Sequence, residues 1–192
     1  MGHERLPRGA IRRMRVARLL AILAVIGGCG RDTAGDWLAA GSDRGNTRYS
    51  PLRQIDRDNV ADLRVAWTYR TGDLPATGGQ IQATPIIVDG ILYTTTPSLA
   101  VVALRGDSGT LLWRFEPPAS RSRGPSWSQV NRGVVYWADG DDARILYTAG
   151  RFLYAIDART GRGVPAFGDS GAVDLARGLS RDIGDAFLVA SS

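Results

Sequence analysis

The chain is poor in residues that cross-link or anchor a protein covalently. Among 192 residues there is one cysteine, Cys29, and no lysine. A single cysteine excludes an internal disulfide and a cysteine metal cage, so packing must hold the fold. The longest unbroken apolar run, Leu19 to Ile26, is far short of the roughly 20 residues that a membrane-spanning helix needs. Without lysine the basic balance rests wholly on 24 arginines against 19 acids, giving a net charge of +5 and a pI near 10. That balance invites a nucleic-acid reading, and the placement of the arginines decides it.

Six of them, Arg5, Arg8, Arg12, Arg13, Arg15 and Arg18, stand at the front of the chain beside one acid, Glu4. They precede the apolar run and then Gly27, Gly28 and Cys29. A positive segment, a short apolar segment and small residues before a cleavage point read as a secretory signal over residues 1–28. The stretch Ile26-Gly27-Gly28-Cys29 resembles the bacterial lipobox, which implies a lipidated Cys29 as the mature N-terminus and a periplasmic, membrane-anchored lipoprotein. An ordinary signal peptide with an incidental cysteine, or an uncleaved anchor, is the alternative. Arg12-Arg13 also hints at twin-arginine export, but the following Met14-Arg15 fits poorly. With six of the 24 arginines and one of the 19 acids lying before Cys29, 18 of each remain, and the mature chain is formally neutral. A nucleic-acid partner is therefore not expected.

At 44% apolar and 22% charged residues, the composition is that of a globular chain. Residues 29–36 read as a polar tether, and "DWLAAGSDRGNTRYSPL" as an ordered loop rich in turn residues. A short helical turn is expected from Asn59 to Leu63, then a strand from Arg64 to Arg70 in which Val65, Trp67 and Tyr69 alternate with polar or small neighbours. Four further strands follow: Pro85 to Val88, Ile91 to Thr95, Leu99 to Leu104 and Thr110 to Phe115. Asp89-Gly90 between the first two is a strong hairpin signal. The pattern then recurs with strands near Val134 to Trp137, Arg144 to Ala149 and Phe152 to Asp157, and a degenerate fourth reaching Phe167.

Laying "VVALRGDSGTLLWRF" on "LYAIDARTGRGVPAF" places Ala103 on Ala155, Gly109 on Gly161 and Phe115 on Phe167, an offset of 52, while Trp67 and Trp113 are 46 apart. A four-stranded unit repeating at this period reads as an all-β, partial β-propeller, because one blade cannot cover its own faces and must stack on its neighbours. An unrelated β-sandwich with similar turns is the competing reading. Between Trp37 and Ser192 there is room for about three blades, fewer than the four to eight with which propellers close. A fragment of a longer reading frame, or a truncated gene product, is the expectation.

The stretches "DWLAAGSDRGNTRYSPLRQIDRDNVADLRVAWTYRTGD", "QATPIIVDGILYTT", "VNRGVVYW" and "LYAIDARTGRGVPAFGDSGAVDL" resemble the N-terminal part of the pyrroloquinoline-quinone (PQQ) dependent dehydrogenases, over nearly all of residues 36–192. These are eight-bladed propellers. The resemblance implies that Trp67 and Trp113 dock against the next blade, with Pro165 in the corresponding place of the third unit. It implies PQQ on the propeller axis, contacted by Arg132 of "VNRG" and by Gln82 just before the "ATP" strand. A guanidinium suits that role, since it can donate two parallel charge-assisted bonds to one carboxylate of this tricarboxylate quinone. Without the motif, Arg132 would read as a surface arginine paired with Asp139, Asp141 or Asp142. Gln82 would read as an ordinary polar residue of a loop strand. Ser191 lies where some members direct a hydroxyl at the cofactor.

Two departures matter. Alcohol and methanol dehydrogenases of this family carry adjacent cysteines five residues before the asparagine of "NRG"; here the pair is Ser126-Trp127, which turns the expectation toward the glucose and quinate type. The family's calcium ligands and catalytic aspartate lie in later blades, so no catalytic or metal-binding residue is assigned within this chain. The resemblance implies an exported enzyme that oxidises an alcohol or sugar hydroxyl to a carbonyl and passes electrons to a membrane quinone or cytochrome, with these residues alone inactive. The competing function is a non-enzymatic lipoprotein propeller that binds partner proteins at the outer membrane.

Overall fold

The structure is a computed structural model and describes residues 35–179 apart from 44, 75, 77–79 and 119–129. The expected leader, Cys29, the tether up to residue 34, the Ser126-Trp127 pair and Ser191 lie outside the described residues. Among the described residues two four-stranded antiparallel sheets make up the β structure. The first contains β1 (Ile86–Val88), β2 (Ile91–Thr95), β3 (Val101–Arg105) and β4 (Leu111–Phe115). The second contains β5 (Val135–Asp139), β6 (Asp142–Ala149), β7 (Phe152–Asp157) and β8 (Ala172–Asp174). In each sheet the strands lie side by side in chain order, the topology of a propeller blade.

Local chemistry explains the tight corners. Asp89 and Gly90 have φ of 50° and 73° and close β1 onto β2 with Val88 opposite Ile91. Two left-handed residues in a two-residue loop match the right-handed twist of the flanking strands, and Asp-Gly adopts that conformation at little cost. At the end of β3 the amide of Gly109 donates to the carbonyl of Arg105 at 2.8 Å, and at the end of β7 Gly161 does the same to Asp157 at 2.9 Å. The two glycines have φ of 68° and 71°. The turn thus recurs at the 52-residue offset seen in the sequence.

The core lies between the sheets. Ile86, Tyr93, Val101 and Ala103 of the first pack with Ile145, Tyr147, Tyr154 and Ile156 of the second, all buried. Withdrawing side chains of this size from water stabilises the stack by about 1.5–3 kcal/mol each. Phe115 of β4 meets Tyr147 and Tyr154 nearly edge-on, at ring separations of 6.1 and 5.8 Å, and the two tyrosines stack at 5.4 Å. Trp113 reaches across as well: its indole N–H donates to the carbonyl of Ala158 at 2.9 Å, and Tyr93 donates to the same oxygen at 3.3 Å. Trp67 docks on the first blade in the same way, through a 3.0 Å bond to the carbonyl of Gly106. The docking implied for Trp67 and Trp113 is therefore what the structure contains.

Three expectations need correction. Residues 64–70 enter no ladder among the described residues; the segment is tied to the first blade by the Trp67 indole rather than by backbone pairing. The expected helical turn before it is a short 3-10 turn, Val60–Asp62. In the second blade the fourth strand is displaced. Only Gly163 makes a single bridge, to Ile156, and the chain turns through Val164 to Phe167 before β8 pairs with Phe152, Leu153 and Tyr154. Pro165 has no amide hydrogen to donate to a ladder, so the strand cannot continue through it. Two complete four-stranded blades are present among the described residues, consistent with a partial propeller.

Candidate cofactor site

Among the described residues the two sheets are joined by a backbone bridge where the chain enters their first strands, β1 and β5. Thr84, just before β1, forms a parallel bridge with Gly133, just before β5, and the Thr84 amide donates to the carbonyl of Arg132 at 2.9 Å. First strands entering side by side and in parallel is what radial repetition requires of the blade edges nearest the axis. Gly133 has φ of 157°, and a Cβ there would lie 3.2 Å from the Thr84 carbonyl oxygen, so the close approach favours glycine.

Asn131 fixes this junction from within. It is only 4% exposed. Its side-chain oxygen accepts the Gly133 amide at 2.8 Å and the Thr95 hydroxyl at 3.4 Å, and its Nδ2 donates to the Thr148 carbonyl at 2.9 Å. One amide thus joins its own loop to β2 of the first blade and β6 of the second. Between Asn131 and Gly133, the Arg132 side chain is exposed.

Among the described residues the Arg132 guanidinium has no ion pair or side-chain hydrogen bond. The three acidic residues near β5 and β6 do not hold it. Asp142 takes Arg144 in a two-bond pair at 2.5 and 2.9 Å, and the backbone carbonyl of Asp141 takes Arg159 at 2.7 Å. Gln82, two residues before Thr84, is also exposed. Its Nε2 donates to the side-chain oxygen of Gln80 at 3.1 Å. The structure therefore brings the two sequence-predicted residues to the same paired strand entries.

A second polar cluster, missed in the sequence, ties Asp73 to β4 and to the residues that follow β2. Asp73 accepts hydrogen bonds from the hydroxyls of Thr96 and Ser98 and from Arg114 at 2.7 Å. Asp73 and Arg114 are 14% and 20% exposed as side chains. Burial alone would raise the Asp73 carboxyl, but the hydroxyls of Ser98, Thr96 and Thr71 and the Arg114 guanidinium outweigh it and hold the group well below the usual carboxylate range. The available signal was the hydroxyl-rich end of β2, Thr94-Thr95-Thr96 followed by Ser98. Thr95 and Thr96 are both 3% exposed, and buried hydroxyls require partners.

Residues 37–192 match the model of the PQQ family described as glucose/ethanol/alcohol dehydrogenase, β-propeller domain. The chain belongs to this family. It is 42% identical over 130 residues to the quinohemoprotein alcohol dehydrogenase ADH-IIG of Pseudomonas putida, covering 67% of this chain and 17% of that one. It is 42% identical over 134 residues to the 1-butanol dehydrogenase (cytochrome c) of Thauera butanivorans, covering 68% and 18%. The crystal structure of the quinohemoprotein alcohol dehydrogenase of Comamonas testosteroni superposes with a TM-score of 0.63 at 30% identity, over 81% of this chain and 21% of that one. The chain spans less than a fifth of the length of the two curated relatives. These relatives are alcohol dehydrogenases, so the closeness to the glucose and quinate type expected from Ser126-Trp127 gains no support.

Proposed function

We propose that this chain supplies part of the wall of a PQQ site in an exported dehydrogenase that oxidises an alcohol hydroxyl to a carbonyl and passes the electrons to a membrane quinone or cytochrome. The observation that carries the reading is Arg132: an exposed guanidinium without an anionic partner among the described residues, on a loop locked from inside at the meeting of two first strands. An exposed cation with no carboxylate partner of its own among the described residues fits a site that awaits one. When bound, PQQ supplies the redox chemistry, accepting the two electrons removed from the alcohol. Arg132 would hold a cofactor carboxylate through paired N–H donors, and the side-chain oxygen of Gln82 would accept from a donor or an ordered water beside it. Among the described residues no group of three or more His, Cys, Asp or Glu side chains could hold a metal ion, so the calcium implied by the resemblance is assigned to none of them.

An alcohol rather than a sugar is the proposed substrate because the relatives are named for alcohols, one of them for 1-butanol. The proposed location is the periplasmic face of a membrane, with Cys29 as the lipid attachment. Among the described residues no helix is long and apolar enough to cross a membrane.

The test is a PQQ titration of the exported protein, followed by tryptophan fluorescence, for the parent and for Arg132→Ala and Arg132→Lys. A charge-assisted hydrogen bond contributes about 1.5–3 kcal/mol, so Arg132→Ala should weaken binding by about ten- to a hundredfold, with partial recovery in Arg132→Lys. Unchanged binding in Arg132→Ala would overturn the reading.

A further inference from the structure

We infer that Asn131 is a positioning residue for Arg132: through its buried side chain it fixes the backbone from which the guanidinium is presented. The inference rests on the reading of Arg132 given above and extends it to a residue that touches no cofactor.

The amide orientation is unambiguous. The Gly133 N–H can only donate and the Thr148 carbonyl can only accept, so Oδ1 must face the first and Nδ2 the second. The Asn131-to-Gly133 bond closes a ring around Arg132, which fixes the Arg132 peptide planes locally. The Thr148 and Thr95 bonds then fix that ring to β6 and β2, in different blades. The Arg132 carbonyl is held in addition by the Thr84 amide. These restraints on the Arg132 backbone come from elements on either side of the blade junction, while its side chain is left exposed. At 4% exposure, Asn131 has no route to water that would replace a lost partner.

The structure gives Asn131 a role that packing alone does not explain. Its neighbour Val134 is equally buried and lies in the shared core, where an apolar residue suffices. A polar amide at position 131 satisfies the backbone donor of Gly133 and the acceptor of Thr148 at once, which no apolar residue could do. A flexible four-bond side chain such as arginine loses much of its conformational freedom on binding, so a fixed starting backbone lowers the cost of presenting it.

The experiment is a double-mutant cycle in PQQ titrations of the exported protein: parent, Asn131→Ala, Arg132→Ala and the double variant. Hydrogen exchange at the Gly133 amide is measured on the same proteins without PQQ. The inference expects Asn131→Ala to weaken PQQ binding about tenfold, the double variant to bind no more weakly than Arg132→Ala, and the Gly133 amide to exchange faster in Asn131→Ala. Thr95→Val, which removes only the longest of the three bonds, serves if Asn131→Ala does not fold; it should weaken binding by a few-fold and lose that effect in the Arg132→Ala background. Additive losses, or an Asn131 variant that frees the Gly133 amide yet binds PQQ normally, would overturn the inference while leaving Arg132 as a cofactor contact. Normal binding by Arg132→Ala alone would instead remove the underlying reading, and the inference with it.

Discussion

Trp113 lies so tightly on Gly161 that a Cβ at position 161 would fall 2.6 Å from the indole ring. Trp67 stands in the same relation to Gly109, at 2.4 Å. Each blade thus offers a left-handed glycine as a flat seat for the tryptophan arriving from the unit before it, with a carbonyl three residues upstream, Gly106 or Ala158, taking the indole N–H. The seat is a blade-to-blade lock that recurs in both blades, although the Trp-to-glycine separation along the chain differs between them, 42 residues for Trp67 and Gly109 and 48 for Trp113 and Gly161.

Gly161→Ala meets both the strained φ and the indole, so it should destabilise the chain by about 2–4 kcal/mol. Trp113→Phe keeps an aromatic ring on the seat and loses the bond to Ala158, for about 1 kcal/mol. Urea unfolding midpoints of the two variants check the order; equal effects would mean that the seat is not the main restraint.

The Asp73 carboxyl is depressed in the folded state, so the stability it contributes is present above its unfolded pKa near 3.8 and is lost as pH falls below that value toward the folded one. Asp73→Asn should cost about 2 kcal/mol at neutral pH, because Arg114 loses its most buried anionic partner. The difference between parent and variant should shrink as pH is lowered from about 4 to 2. Thermal melts across that range check it, and a difference independent of pH would contradict the assignment.

At alkaline pH the relevant groups are tyrosines. Burial, followed by the nearby Tyr136, Asp89 and Asp157, pushes the Tyr93 hydroxyl up to about 12. Tyr147 is raised well above its ordinary value by burial and by Tyr154. Because the unfolded chain loses these protons near pH 10 and the folded chain does not, stability present below pH 10 should fall as pH rises toward 12. Ultraviolet titration at the tyrosinate band should show two late-ionising tyrosines missing from Tyr93→Phe/Tyr147→Phe, and ordinary titration of every tyrosine in the parent would contradict it.

The proposed lipid attachment has its own readout. Labelled fatty acid should be incorporated into the parent protein in bacterial cells and not into Cys29→Ser, which should appear in the soluble periplasmic fraction. Membrane retention of Cys29→Ser without label would remove lipidation as the means of anchoring.

Much of the blade order was legible before the structure. The Asp89-Gly90 turn, the alternating strands around it and the spacing of Gly109 and Gly161 are local signals, set by backbone conformations that few residues adopt. The fourth strand of the second blade was misplaced because apolar residues up to Phe167 continue the pattern, while Pro165 removes the amide that a ladder needs there. Trp67 was correctly assigned as a docking residue, but the alternation around it marked no buried face, since Val65 is exposed and Trp67 and Tyr69 are only partly buried, and among the described residues no strand pairs with it. Asn131 and Asp73 escaped notice for a different reason. A lone polar residue in a loop carries no period, and its value depends on partners, here Thr148 and Thr96, that only the folded chain brings near.

The most direct measurement of the central claim is the position of Arg132 in a crystal structure of the exported protein loaded with PQQ. The guanidinium should lie about 3 Å from a cofactor carboxylate, with Asn131 still bonded to Gly133 and Thr148. A cofactor bound on the axis with Arg132 turned away into solvent would contradict it.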